Sequence, residues 1–169
     1  MSEAIRQSEK TERGTFSGVF RPALIKDAKD IQALVKVYAD QGLMLPRSLN
    51  ELYETIREYT VYEEDGKIRG ACALHVAWED LAEIMGLAID PEYSGRGMGA
   101  RLVSIALKEA VRLGIPKVFT LTYVPDFFKK SGFAEVDKSE FPHKIWSSCI
   151  RCPKFPDCDE TGMIIHLDI

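Results

Sequence analysis

The residues with the most chemical content lie in one run, Asp90-Pro91-Glu92-Tyr93-Ser94-Gly95-Arg96-Gly97-Met98-Gly99-Ala100. Glycines at alternate positions leave the main chain uncovered, so several N–H groups can converge on one small volume. A helix that starts there adds its own free N–H groups and the positive end of its dipole. Phosphate oxygens are what such a concavity holds, and Arg96 inside the loop brings a cation to them. The run reads as a grip for a pyrophosphate-bearing cofactor, with an ordinary tight turn before a helix as the alternative. Its spacing is G-x-G-x-G. The dinucleotide pattern G-x-G-x-x-G is therefore not met, and the ending G-K-[ST] of the nucleotide phosphate loop is absent.

A grip of this kind needs a strand to deliver it and a helix to carry it on. Leu81 to Ile89 reads as that strand, and the amphipathic stretch from Ala100 to Leu113 as that helix. Gly114-Ile115-Pro116 stops the helix. Upstream, Val19 to Leu24 is a short strand. A helix follows, with Ile31, Leu34, Val35 and Tyr38 on its apolar face and Asp27 as its N-cap. Gln41 to Arg47 is a break. Ser48, with Glu51 three residues on, opens a second helix with capping-box spacing. Thr60 to Glu63 and Lys67 to Val76 are strands joined by a hairpin turn at Asp65-Gly66. Downstream come a strand over Lys117 to Tyr123, a short helix over Pro125 to Lys130, a strand over Phe133 to Val136 and a last strand over Met163 to Leu167. This order predicts an α+β (α/β three-layer) domain built on one mixed sheet.

The totals set limits. A chain of 169 residues suits one domain with a sizeable core. A net charge of -4 without a basic run gives no reason to expect nucleic acid. No apolar stretch is long enough to span a bilayer, and Met1 to Gly14 lacks the apolar centre of a signal peptide, so the expectation is a cytoplasmic protein. Residues 1–17 read as a flexible tail and 18–169 as the domain, including a cysteine-containing loop over 143–160.

Ser94-Gly95-Arg96-Gly97-Met98-Gly99 resembles the Q/R-x-x-G-x-G/A loop of the GNAT superfamily of N-acetyltransferases, with serine at the first position in place of glutamine or arginine. The order of elements from residue 19 to 168 is similar to that superfamily's. Phe127-Phe128-Lys129-Lys130-Ser131-Gly132-Phe133 looks like its L-Y-x-x-x-G-F segment. Leu81 to Ile84 leading to Leu87-Ala88-Ile89-Asp90-Pro91, Val118 to Thr122, and the tail from Asp137 to Glu160 resemble the short, single-domain N-acetylglutamate synthases, the amino-acid acetyltransferases of arginine biosynthesis. The resemblance implies a mixed, mostly antiparallel central sheet flanked by helices, acetyl-CoA as cosubstrate, and an amino acid as acceptor: L-glutamate first, L-glutamine second. Other small amines, a protein N-terminus, or a non-catalytic acetyl-CoA-binding regulator are the rival readings. A homodimer is left open.

The resemblance implies that Leu87, Ala88 and Ile89 pair through their backbone with the pantetheine arm, and that Ser94, Gly95, Arg96, Gly97, Met98, Gly99 and Ala100 hold the pyrophosphate. Acetyl transfer to an amine then requires a base, because an α-amine is mostly protonated near pH 7. Glu83 is the candidate. Its neighbours Leu81, Ala82, Ile84 and Met85 are apolar, and partial burial would raise its pKa toward a useful range; a solvated or salt-bridged strand glutamate is the alternative. Many superfamily members carry tyrosine where this chain has Phe128, which cannot donate a proton. Tyr123 is the first candidate leaving-group acid, with Thr122 and Ser131 behind it. Arg47, in the loop that walls the acceptor pocket of similar enzymes, suits an α-carboxylate. Ile84, Met85 and Lys144 complete the expected substrate contacts, with His143 as a further candidate. Lys129 and Lys130 either reach a phosphate or form a solvated helix end.

Cys149-x2-Cys152-x5-Cys158, with His143 six residues before, offers three soft ligands and a fourth, with Glu160, Asp159 and His166 as other fourth ligands. The spacing is not the usual paired C-x-x-C of a zinc site. The expectation is no metal, with zinc on Cys149, Cys152, Cys158 and His143 as the weaker alternative. Pro153 and Pro156 stiffen a loop expected to lie over the acceptor pocket.

Overall fold

The structure, a computed structural model, describes residues 15–141 and 149–169. Along the chain it forms β1 (Val19–Pro22), α1 (Ala28–Ala39), α2 (Leu49–Thr55), β2 (Tyr59–Glu64), β3 (Lys67–Trp78) and β4 (Leu81–Ile89). Then come α3 (Met98–Arg112), β5 (Lys117–Thr122), α4 (Pro125–Lys130), β6 (Ala134–Val136) and β7 (Thr161–His166). Among the described residues the strands make one sheet in the order β1-β2-β3-β4-β5-β7-β6. Its pairs are antiparallel except β4–β5. The predicted mixed, mostly antiparallel α+β architecture is what forms.

Helices cover both faces, so the sheet is buried on two sides. α1 and α2 set Ile31, Val35 and Leu52 against Val61, Ala71 and Ala88. α3 sets Leu102, Val103 and Leu107 against Leu74, Ile84 and Val118 on the other face. The tail expected over residues 1–17 overlaps this core at its end. Phe16 packs edge-on against Phe20 and Tyr62, and the Ser17 hydroxyl donates to Glu64 at 2.6 Å.

Ser48 and Glu51 form the expected capping box: the Glu51 N–H donates to the Ser48 hydroxyl at 3.2 Å, and the Ser48 N–H to the Glu51 carboxylate at 2.8 Å. Asp27 is a correction. It precedes α1 but makes no side-chain cap. Its buried carboxylate instead accepts from the Leu24 N–H at 2.7 Å and pairs with Arg21 at 2.7 Å, which ties β1 to the first turn. The strong arginine partner wins over the weaker capping geometry, and Arg21 holds the carboxyl below its ordinary range.

β4 carries the feature that shapes the site. Its register against β3 shifts between Ala71↔Ala88 and Ala73↔Met85. Gly86 and Leu87 therefore oppose Cys72 as a β-bulge, which bends a strand and sharpens its twist. Gly86 has φ +61, and a Cβ there would stand 2.7 Å from the Tyr59 hydroxyl oxygen. The parallel ladder to β5 ends at Glu83↔Phe119, although β4 runs on to Ile89. From Ile84 onward the two strands diverge. Gly86→Ala should lower the unfolding free energy by about 1–3 kcal/mol, measured by urea denaturation; unchanged stability would show that the bulge does not need glycine.

Candidate active site

The wedge between β4 and β5 is lined main chain, and its edge is partly capped by side chains. The Thr120 hydroxyl donates to the Ile84 carbonyl at 2.9 Å, replacing the ladder bond lost where the strands part. The Tyr38 hydroxyl, from the last turn of α1, donates to the Ile89 carbonyl at 2.5 Å. Burial pushes the Tyr38 phenol up, so it stays a donor. Between these two caps β4 has no ladder partner on its β5 side, a free edge that an extended ligand can join as a strand.

The glycine loop closes one end of the wedge. Pro91–Tyr93 forms a single 3-10 turn, capped by the Asp90 carboxylate accepting from the Glu92 N–H at 3.0 Å. Gly97, at φ +84, is the N-cap of α3, which starts at Met98 rather than at the expected Ala100. Only a residue without a Cβ adopts that conformation cheaply. Ser94, Gly95, Gly97, Met98, Gly99 and Ala100 line a groove of about 430 Å³ together with Leu87, Ile89 and Phe127. Arg96 is not among the groove's walls. Its guanidinium lies over the Tyr93 ring at 4.7 Å and donates to the Glu92 carbonyl at 3.0 Å. Arg69 covers the same ring at 4.9 Å, and the Tyr93 hydroxyl donates to Glu64 at 2.5 Å. The loop is braced from behind by a stack that the sequence pattern does not reveal. Lys130 lines the groove, whereas Lys129 pairs with Glu135 at 3.5 Å and lies beside Asp126 at 3.9 Å.

The groove opens into a middle cavity of about 190 Å³ that shares Tyr38, Leu87 and Val124 with it. Phe128, Tyr123 and Thr122 stand in this cavity's wall. The Thr122 hydroxyl accepts from the Val124 N–H at 3.0 Å. Ser131 is fully buried, its hydroxyl has no partner among the described residues, and it is absent from the walls of the groove and of this cavity, which together form one trough. Tyr123 donates to Asp159 at 2.6 Å, and its oxygen accepts from Lys154, whose ammonium also lies 4.3 Å above the ring centre. Burial, then the Asp159 contact, push the Tyr123 phenol above its ordinary pKa.

The far end is a cavity of about 120 Å³ that shares Met44, Ile84, Met85 and Gly86 with the middle one. Arg47, Glu83, Glu160 and Cys149 bring its chemistry. Arg47 is placed by the break after α1, where its carbonyl accepts from Gln32 at 2.9 Å. Burial pushes the Glu83 carboxyl up to about 7, while His75 and Arg47 pull it down and Glu160 pushes it further up. Burial also raises Glu160, against the Cys158 thiol contact at 3.7 Å that lowers it. The sequence reading offered Glu160 only as a metal ligand and Tyr38 only as a packing residue, and gave Thr120 no role at the site. Lys144 and His143 lie outside the described residues.

The cysteine segment straps this end. Lys154 donates to the Gly42 carbonyl at 3.2 Å, Lys138 to the Cys158 carbonyl at 2.6 Å, and Arg151 sits 3.8 Å from Glu51. The three thiols are unpaired, and burial pushes Cys149 up. Among the described residues no three His, Cys, Asp or Glu side chains group to hold a metal ion; His143, the fourth ligand of the zinc alternative, lies outside them. Among the same residues no helix is long and apolar enough to cross a membrane.

A family model described as the Acetyltransferase (GNAT) family matches residues 26–133. An uncharacterized N-acetyltransferase of Chlorobaculum tepidum is 39% identical over 144 residues, covering 85% of this chain and 93% of the relative. An amino-acid acetyltransferase of Mycobacterium tuberculosis is 36% identical over 136 residues, covering 79% of this chain and 78% of that one. This chain spans only 28% of the length of the amino-acid acetyltransferase of Aeromonas salmonicida, at 34% identity. Among solved structures, a Mycobacterium tuberculosis protein in complex with CoA and the ligand NLQ superposes with TM-score 0.76 at 32% identity, covering 89% of this chain and 99% of that one. N-acetylglutamate synthase from Neisseria gonorrhoeae, complexed with coenzyme A and N-acetyl-glutamate, superposes with TM-score 0.81 at 26% identity, covering 92% of this chain and 36% of that one. Fold, trough and family match agree on an acyl-transfer enzyme of the CoA-dependent kind. This chain belongs to the GNAT family of N-acetyltransferases.

Thr120→Val keeps the shape of the side chain and leaves the Ile84 carbonyl without its donor. A loss of about 1–3 kcal/mol in unfolding free energy is expected; an isostere as stable as the parent would mean that the hydroxyl does not support the wedge.

Proposed function

We propose that this chain transfers the acetyl group of acetyl-CoA to the α-amine of an amino acid, with L-glutamate the first acceptor and L-glutamine the second, the opening step of arginine biosynthesis. One observation carries the reading: at the far end from the groove, Glu83 and Arg47 share a small cavity that the thioester end of a cofactor in the groove would face. Arg47 supplies a fork for the α-carboxylate, and Glu83 takes the proton that the amine must lose. The ligands bound beside coenzyme A in the two solved relatives, NLQ and N-acetyl-glutamate, support a small acceptor of this kind.

In this mechanism the pantetheine arm lies along β4 at Leu87, Ala88 and Ile89. The pyrophosphate meets the N–H groups of residues 94–100 at the start of α3. Ala88 is buried and contributes only main chain. The amine attacks the thioester carbonyl, Glu83 receives its proton directly or through a water, and free β4 N–H groups meet the oxyanion. Phe128 packs at the thioester and donates nothing. Tyr123, in the wall of the middle cavity, would donate to the departing sulfur, and Lys154, which donates to its oxygen, would return its proton. A free thiol near pKa 8.5 needs only modest help. Met85 and Ile84 line the acceptor space.

Glu83 works as a base only when ionised. Because burial raises it to about 7, kcat/KM should climb with pH through about 7 and level off above. Glu83→Gln should remove that climb and lower the rate about 10²–10³-fold. Arg47→Ala should raise KM for the acceptor about tenfold or more, with little change in KM for acetyl-CoA. A thiol-release assay across the amino acids tests the substrate class: no turnover with any of them ends the proposal.

A further inference from the structure

His75 is the residue directly across the β3–β4 ladder from Glu83. Directly opposed cross-strand residues carry their Cβ atoms about 4.5–5.5 Å apart on the same face. The imidazole is not an isolated neighbour. Its Nδ1 lies 3.0 Å from both carboxylate oxygens of Glu58, at the end of the turn Ile56–Glu58 that leads into β2. Both partners of this pair are partly buried, with side-chain exposures of 43% and 30%, so water screens it only in part. Neither residue lines the acceptor cavity, so neither has a place as a ligand to the acceptor.

We propose that His75 and Glu58 are a positioning pair for the reaction: Glu58 keeps His75 cationic, and that cation, set across the ladder, fixes the pH at which Glu83 becomes a carboxylate. The inference rests on Glu83 as the base. The charged and titratable groups that face Glu83 are His75 from β3, Arg47 from the break after α1, and Glu160 and Cys149 from the C-terminal segment. β5 offers only Phe119 at the paired position. His75 itself faces Glu58, Glu83 and Arg47. Burial drives Glu83 toward its neutral form, and Glu160 adds to that. Arg47 opposes it, but an acceptor carboxylate would neutralise Arg47 on binding. His75 is then the cation left to hold the base ionised. Glu58 raises His75 above its ordinary pKa, which extends the cationic form of the ring to higher pH.

The sign follows. Removing the cation disfavours the carboxylate, so the Glu83 pKa rises and the climb in kcat/KM moves to higher pH. Two readouts are needed on the full chain. One is a carbon NMR titration of protein labelled at the glutamate side-chain carboxyl, with the Glu83 signal assigned from Glu83→Gln, in the absence of substrates. The other is the pH profile of kcat/KM. His75→Asn should raise the Glu83 midpoint by about half a pH unit or more, and the kinetic climb should move with it. Glu58→Gln should do the same above about pH 6.5, where an unassisted imidazole loses its proton. His75→Lys restores a cation and should bring both back toward the parent. A Glu83 midpoint unmoved in His75→Asn and Glu58→Gln overturns the proposal. A midpoint that moves while the kinetic climb stays put also overturns it, and does so by removing Glu83 as the base.

Discussion

The parting of β4 from β5 is the constraint from which the rest of this molecule follows. A parallel pair in the middle of a sheet ordinarily satisfies its N–H and C=O groups on both edges, and leaving them exposed inside a protein is costly. Here the ladder stops after Glu83, and the cost is limited by two side-chain donors, Thr120 on Ile84 and Tyr38 on Ile89. The bulge at Gly86 turns β4 away from its neighbour. One edge is thus left free, with the glycine-loop groove at its end and a small charged cavity at its start. Groove, middle cavity and acceptor end are successive stretches of one gap.

The charge arrangement depends on that gap as well. Glu83 is the last residue of β4 that still pairs with β5, so its backbone is fixed while its side chain borders the opening. Burial raises its affinity for a proton, and His75, Arg47 and Glu160 around it adjust the outcome. Residues from four separate parts of the chain meet there: Arg47, His75, Glu83 and Glu160. The strap of Lys154, Tyr123 and Asp159 holds the C-terminal segment across the same end.

Local chemistry was readable, and tertiary geometry was not. Leu81–Ile89 and Pro125–Lys130 follow from their apolar runs and their Asp-Pro, Gly and Pro boundaries, and Ser48 with Glu51 announced its own helix start. The glycine loop stood out through residue type and spacing alone, and its residues line the groove at the start of α3. Glu83 stood out as an acid among apolar neighbours. By contrast, Tyr38 sits at a helical apolar position indistinguishable from a packing aromatic, and Thr120 in a β-rich run looks like any strand threonine. His75 and Glu160 gain meaning only from register and from the path of the last loop. Asp27 misled because a short acid before a helix suits a cap, while Arg21, on the neighbouring strand, claims it. Gly86 did carry a signal: an isolated glycine inside a strand often marks a bulge or close approach.

The aromatic stack behind the glycine loop has a thermodynamic consequence. Tyr93 carries two guanidinium groups against its ring and is tethered through its hydroxyl to Glu64. A loop so fastened has already surrendered its freedom during folding, so a ligand that docks in the groove meets a wall already in place. Capture then spends little on freezing the receptor, and the favourable contacts go into residence time rather than into organising the host.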